Sequence, residues 1–320
     1  MYNSLKATLK IALPLLVGGI LVWFSLQKVP LSVLKDYFNH ANYFWIGLGV
    51  FFGILSHISR AYRWKFMIDP MGYSLRFSNS IMAVFAAYLI NYTIPRAGEV
   101  SRATILTNYE GVPFEKGFGT IVAERIADAL MMILIIVITF LMEFDVIYDF
   151  FIINYNFKKQ WWIWASLALL AVFVYTVIKK GAHPFVKKLR TVLNGFIEGL
   201  LSIFKMKKKW AFLAHTFFIW GMYLLMFYIT SFSIEATSEL PFSAILVGFI
   251  AAGFSIAATY GGIGSYPLAV YAAFTIFNVP EAPSIAFGWI MWSSQTLMII
   301  FLGGLSLVAL PIYNKLYTNR

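Results

Sequence analysis

The chain has 320 residues, of which 60% are hydrophobic and 12% charged, and its net charge is +11. Soluble domains usually hold about 25% charged residues, and a soluble fold of this composition would lack the polar surface needed to face water. No cysteine is present, which excludes disulfides and thiolate metal sites. The four histidines, His40, His57, His183 and His215, show no ligand spacing, so no metal and no cofactor is expected.

Taken in chain order, the apolar runs predict an all-α integral membrane protein. Six full transmembrane helices are expected near 9–27, 43–62, 117–142, 161–179, 211–232 and 282–310. The first run follows Lys6 and Lys10 as in a signal peptide, but it is long and no small-residue cleavage site follows, so it reads as a retained helix. Two further apolar segments, 78–94 and 242–260, run into Pro- or Gly-rich breaks and then into second helical stretches, 99–109 and 265–277. Each half is shorter than the roughly 20 residues that a crossing needs. Both pairs are therefore expected to be re-entrant helical hairpins.

Basic residues support this topology. With the N-terminus inside, the cytoplasmic segments collect most of the Lys and Arg residues, above all in the block 179–209. The outside segments hold Lys28, Lys35, Lys158 and Lys159. That bias follows the positive-inside rule. A full crossing by either hairpin would invert every later segment. The expected location is the inner membrane, multi-pass, with both termini cytoplasmic. The positive charge then belongs to basic loops, and no nucleic acid is expected as a partner.

A span, a hairpin and a span recur, giving repeat one at about 9–143 and repeat two at about 161–310. Because three crossings separate the copies, the second is inverted, and inverted repeats with broken helices are a transporter architecture. Between them, 180–209 reads as a basic cytoplasmic amphipathic segment, with Val192, Leu193, Phe196, Leu200, Ile203 and Phe204 as its apolar positions. Trp161, Trp162 and Trp164 suit an interfacial aromatic belt. Arg60, Arg63 and Lys65, at the end of span 43–62, read as topology anchors and anionic-lipid contacts.

Chemistry concentrates at three motifs. The first is Pro95-Arg96-x-Gly98-Glu99-x-x-Arg102. Pro95 lacks a backbone donor and Gly98 tolerates strained dihedrals, so one half-helix ends and another begins there. Glu99 and Arg102, three apart, share a helical face. The N-terminus of helix 99–109 would aim open amides into a cavity, and with Arg96 beside it would suit a phosphate. The second motif is Glu124-Arg125-x-x-Asp128. Glu124 and Asp128 share a face, with Arg125 roughly 100° around the helix. Charges here would be costly against lipid. Either the six ionised residues form a neutral network that locks hairpin to helix, or some contact a passing headgroup. The third is Gly261-Gly262-x-Gly264, a sharp turn that could serve as an amide nest or simply as close packing. No lysine follows at the spacing of a nucleotide-binding loop.

Together these motifs resemble the lysylphosphatidylglycerol synthase transmembrane family, the flippase-like domain related to the multiple peptide resistance factor and its stand-alone relatives. The resemblance spans nearly the whole chain. It implies an inner-membrane protein that moves lipids across the bilayer. In two-domain members a soluble aminoacyltransferase follows; this chain ends at Arg320 without one, so it is not expected to make the lysyl lipid. Many relatives carry Glu soon after the glycine turn, where this chain has Tyr266.

The expected function is a lipid flippase for a phospholipid or a polyprenyl-phosphate-linked lipid. Its partner is an anionic or lipid-linked headgroup contacted by Arg96, Glu99, Arg102, Glu124, Arg125, Asp128, Gly261, Gly262 and Gly264, with no catalytic residue. Two alternatives stay open: a membrane-embedded enzyme using Glu99, Glu124 and Asp128 on a lipid-linked substrate, or a non-catalytic membrane partner docking through 179–209. A homodimer also stays open.

Overall fold

The computed structural model describes residues 16–94, 96–144, 206–259 and 261–318, together with 165, 166, 169 and 172. Every element among them is helical. In order these are α1 (Leu16–Lys28), α2 (Leu31–His40), α3 (Tyr43–Ile68), α4 (Phe77–Thr93), α5 (Ala97–Glu110), α6 (Phe114–Met142), α7 (Lys209–Ser231), α8 (Glu235–Ser238), α9 (Phe242–Ala258), α10 (Ser265–Phe274) and α11 (Glu281–Thr318). Single 3-10 turns follow α3 and α10.

Among the described residues, four helices, α3, α6, α7 and α11, are long and apolar enough to cross a membrane, or up to five if the bent pair α1 and α2 is one span. The expected span near 161–179 and the basic block 179–209 lie outside the described residues, apart from four isolated positions and the segment from 206 onward. Helix α2 was not anticipated. Pro30 occupies its N-cap, and the chain bends by 80° between α1 and α2. A proline is easily accommodated there because the first-turn amide has no intrahelical partner.

Local chemistry explains where helices stop. Asn42 caps α3, its side chain accepting from the Phe44 amide at 3.1 Å. Helix α5 closes at Gly111, whose φ of 67° is the left-handed conformation that glycine adopts without a Cβ clash. Helix α3 runs to Ile68, past the expected end at 62, because nothing from Arg60 to Ile68 breaks it; Asp69-Pro70 does.

The chain divides into two compact units, Met1–Ile121 with Trp210–Arg320, and Val122–Lys209. In the first, α4 packs against α3, α5 and α11, and α9 packs on α10, which packs on α11. Small residues permit the close approaches. A Cβ on Gly303 of α11 would meet Phe85 and Leu89 of α4, and one on Gly288 would meet Pro267 of α10. Phe85, Met298 and Ile299 form one apolar cluster. Phe227, Phe249, Phe274 and Phe287 interlock edge to face and stacked, which suits their ring quadrupoles. Of the second unit, the remainder of α6 and a few further positions are described.

Candidate functional site at two helix breaks

The first break separates α4 from α5. Thr93 closes α4 by donating its hydroxyl to the Ile90 carbonyl at 2.9 Å, and Ile94 is extended. Pro95 lies outside the described residues. Arg96 is exposed and left-handed, with φ 61°. A non-glycine residue in that region costs roughly 1–2 kcal/mol, and such strain tends to collect at functional positions.

Asn91 bridges the break. Its Oδ1 accepts from the Gly98 amide at 2.8 Å and its Nδ2 donates to Glu99 Oε2 at 3.4 Å. The Ala97 amide is also taken, by the Ile94 carbonyl at 3.1 Å. This corrects the expectation of open amides at the start of α5 for its first two positions: the Ala97 and Gly98 amides are taken by Ile94 and Asn91 from the preceding segment. Gly98 is required because a Cβ would collide with the Ala87 carbonyl and the Asn91 side chain.

Glu99 is half-buried, whereas Arg102, one turn further, is 3% exposed. Arg102 Cζ lies 3.8 Å from the centroid of the Trp64 ring, on its face. Trp64 in turn donates Nε1–H to Thr120 Oγ1 at 2.7 Å.

The second break separates α9 from α10. Thr259 ends α9 with a bond from its hydroxyl to the Ser255 carbonyl at 2.7 Å, and it also meets Ser265 Oγ at 2.7 Å. Gly261, Gly262 and Gly264 all have positive φ, 59°, 81° and 70°. Each is closely packed: a Cβ would strike the Tyr92 ring at Gly261, Tyr266 and Trp292 at Gly262, and the Leu21–Val22 backbone of α1 at Gly264. Trp292 donates Nε1–H to the Gly261 carbonyl at 2.7 Å. The geometry therefore carries the features of close packing.

The two breaks meet, since Tyr92, at the end of α4, lies against Gly261. In the second unit, Glu124 and Asp128 are buried, while Arg125, 44% exposed, lies 3.7 Å from Asp128. That division matches two acids on one helical face and the arginine on another.

Two buried polar groupings escaped the sequence reading. Arg60 and Arg63, expected at the lipid headgroups, are 2% and 0% exposed. Arg63 donates to Thr216 Oγ1 at 2.7 Å and sits 5.0 Å from the Phe212 ring centroid. Ser59 meets His215 Nδ1 at 2.8 Å, and His57 packs among Phe85, Tyr88 and Tyr223. Ser56, His57, Arg60 and Arg63 recur every three or one residues along one side of α3, a helical polar stripe that was readable. The second grouping ties both open ends of the α4–α5 pair to α11. Arg76 pairs with Glu110 at 3.0 Å, Asn79 donates to Glu110 at 2.6 Å, and both Arg76 and Asn79 donate to Asn314. Away from these groups, a cavity of about 480 Å³ is lined by Asp36, Tyr37, His40, Ser233 and Glu235 among others, and shares no residue with either break.

Among the described residues, no group of three or more His, Asp or Glu residues could hold a metal ion. No solved structure matches the chain. A UPF0104 membrane protein of Methanocaldococcus jannaschii is 25% identical over 303 residues, covering 85% of this chain and 84% of that one. Residues 11–304 match the family described as the lysylphosphatidylglycerol synthase TM region. With the motifs, the apolar helices and this match in agreement, the chain is a membrane protein that belongs to the lysylphosphatidylglycerol synthase transmembrane-region family.

Proposed function

We propose that this protein moves a phospholipid or polyprenyl-phosphate-linked lipid across the inner membrane, its headgroup passing beside the two helix breaks. The observation that carries the reading is the meeting of those breaks at Tyr92 and Gly261, with the buried Arg102 on the helix that starts at one of them. Helix α4 has 17 residues and α5 has 14. At 1.5 Å per residue each falls short of a hydrocarbon core about 30 Å thick. Under this proposal α4–α5 and α9–α10 are re-entrant hairpins of an inverted repeat, there are six full spans, and both termini are cytoplasmic.

Irregular backbone at membrane depth is tolerated where protein buries it or where it lines a wet cavity. An exposed Arg96 and a half-buried Glu99 at the first break fit the second case. Arg96 and Arg102 would bind phosphate. Glu99, and on their chemistry alone Glu124 and Asp128, would balance charge or take up a proton; Arg125 and the three glycines complete the proposed set. With no nucleotide-binding loop in the sequence, an ion or cargo gradient would drive movement.

The test reconstitutes purified protein into phosphatidylcholine vesicles carrying fluorescent phosphatidylglycerol and follows its exposure to an external quencher. Arg96→Ala, Glu99→Gln and Arg102→Ala should abolish movement while leaving the melting temperature in detergent within a few degrees. Parental rates in all three variants would refute the reading.

A further inference from the structure

We propose that Trp64 and Thr120 are positioning residues that hold the Arg102 guanidinium for a phosphate-bearing headgroup; this rests on the reading above that Arg102 engages the cargo. Three elements build the arrangement. Arg102 comes from α5, Trp64 from α3 and Thr120 from the first turns of α6. Trp64 is 0% exposed and Thr120 8%.

A linear chain of contacts fixes the guanidinium. Thr120 Oγ1 donates to the Gly117 carbonyl at 2.7 Å, which orients the hydroxyl. The oriented hydroxyl accepts the Trp64 Nε1–H at 2.7 Å, which fixes the rotation of the indole. The face of that indole lies 3.8 Å from Arg102 Cζ. Gly117 also lets α6 approach Leu106 and Ala103 on α5, the helix that carries Arg102. A backbone carbonyl of α6 thus sets the place of a guanidinium on α5 through two intervening side chains.

The chemistry explains why an indole stands there. A phenyl ring would fill most of the volume but has a weaker π face and no N–H to lock its rotation. A cation held on a ring face uses no N–H donor for that contact, and a stacked guanidinium hydrogen-bonds in its own plane. In-plane paired donors match two oxygens of a phosphate, whereas a lysine ammonium is a point charge without that geometry. Burial strengthens the cation–π contact, because water does not compete for the charge.

The test uses the same vesicles with the mole fraction of fluorescent phosphatidylglycerol varied. Thr120→Val keeps the shape and removes the acceptor; Thr120→Ser keeps the hydroxyl. Trp64→Phe keeps a ring and removes the N–H. The expected result is that Thr120→Val and Trp64→Phe raise the half-saturating mole fraction about tenfold, equivalent to ~1.4 kcal/mol, with the maximal rate within about twofold, and that Thr120→Ser restores the parental value. A role in folding alone would lower the maximal rate through lost active protein and leave half-saturation unchanged, which would overturn the inference. So would superimposable curves for Thr120→Val, Trp64→Phe and the parent when Arg102→Ala abolishes movement. If Arg102→Ala leaves movement intact, the proposed function fails at this residue and the inference falls with it. Should Thr120→Val not fold, as judged by size-exclusion and melting in detergent, Trp64→Phe alone decides between these outcomes.

Discussion

The two helix breaks share a plan and differ in material. At α4–α5 the turn is polar: an asparagine caps the following helix, an arginine sits in a left-handed conformation, and a carboxylate and a buried guanidinium follow on the new helix. At α9–α10 the turn is glycine, and aromatic rings and a neighbouring helix fill the space against it. One break keeps ionisable groups near a strained backbone, and the other gives a surface for that strained turn to rest against. Chemistry has been placed on one side and fit on the other, and the helices follow suit: α4 and α9 have the same length, but α9 and α10 are the more apolar pair.

That contrast can be broken by substitution. The largest effect is expected at Gly264, where a side chain would need both a φ of 70° and room occupied by the α1 backbone. Gly264→Ala should lower stability by about 3 kcal/mol or prevent folding, measured by unfolding in detergent. Gly72→Ala is the control: its φ is 84° but nothing lies within 4 Å of a Cβ, so only the backbone term of about 1 kcal/mol should appear. Equal effects at the two sites would mean that packing at the second break is unimportant.

Asn91→Ala comes next. It removes the cap on the Gly98 amide and should cost roughly 1–2 kcal/mol, with lipid movement falling further than stability predicts because Glu99 loses the bond from Asn91 as well. Arg96→Gly sharpens the contrast in the opposite direction. Removing left-handed strain should raise stability by about 1 kcal/mol, while lipid movement is lost with the guanidinium. A variant that is more stable and still active would place Arg96 outside the site. The smallest effect is expected for Trp292→Phe, which deletes the bond to the Gly261 carbonyl and should cost about 1 kcal/mol, with little change in which headgroups are moved.

Much of the helical layout was legible because membrane helices announce themselves by length and apolarity. The breaks after residues 93 and 258 fall within a few positions of their expected places, since proline and glycine act locally on the backbone. Helix α2 was not legible, being short and following a proline that could equally have begun a loop. Arg60 and Arg63 misled for a physical reason: a basic residue near the end of an apolar run is favourable at headgroups, and sequence holds no record that Thr216 and Phe212 of α7 stand against Arg63.

The sequence by itself determined the solvent, the helical class, the family and the residue types at each break, because these follow from composition and from short-range backbone preferences. Only the tertiary structure decided that Asn91 takes the Gly98 amide, that Tyr92 rests on Gly261, and that Trp64 carries Arg102. Two of these three join residues far apart in the chain, and even the local cap depends on which rotamer the packed helices leave to Asn91. Spacing along a helix fixes which face a residue shares; what stands opposite that face is set by the whole fold.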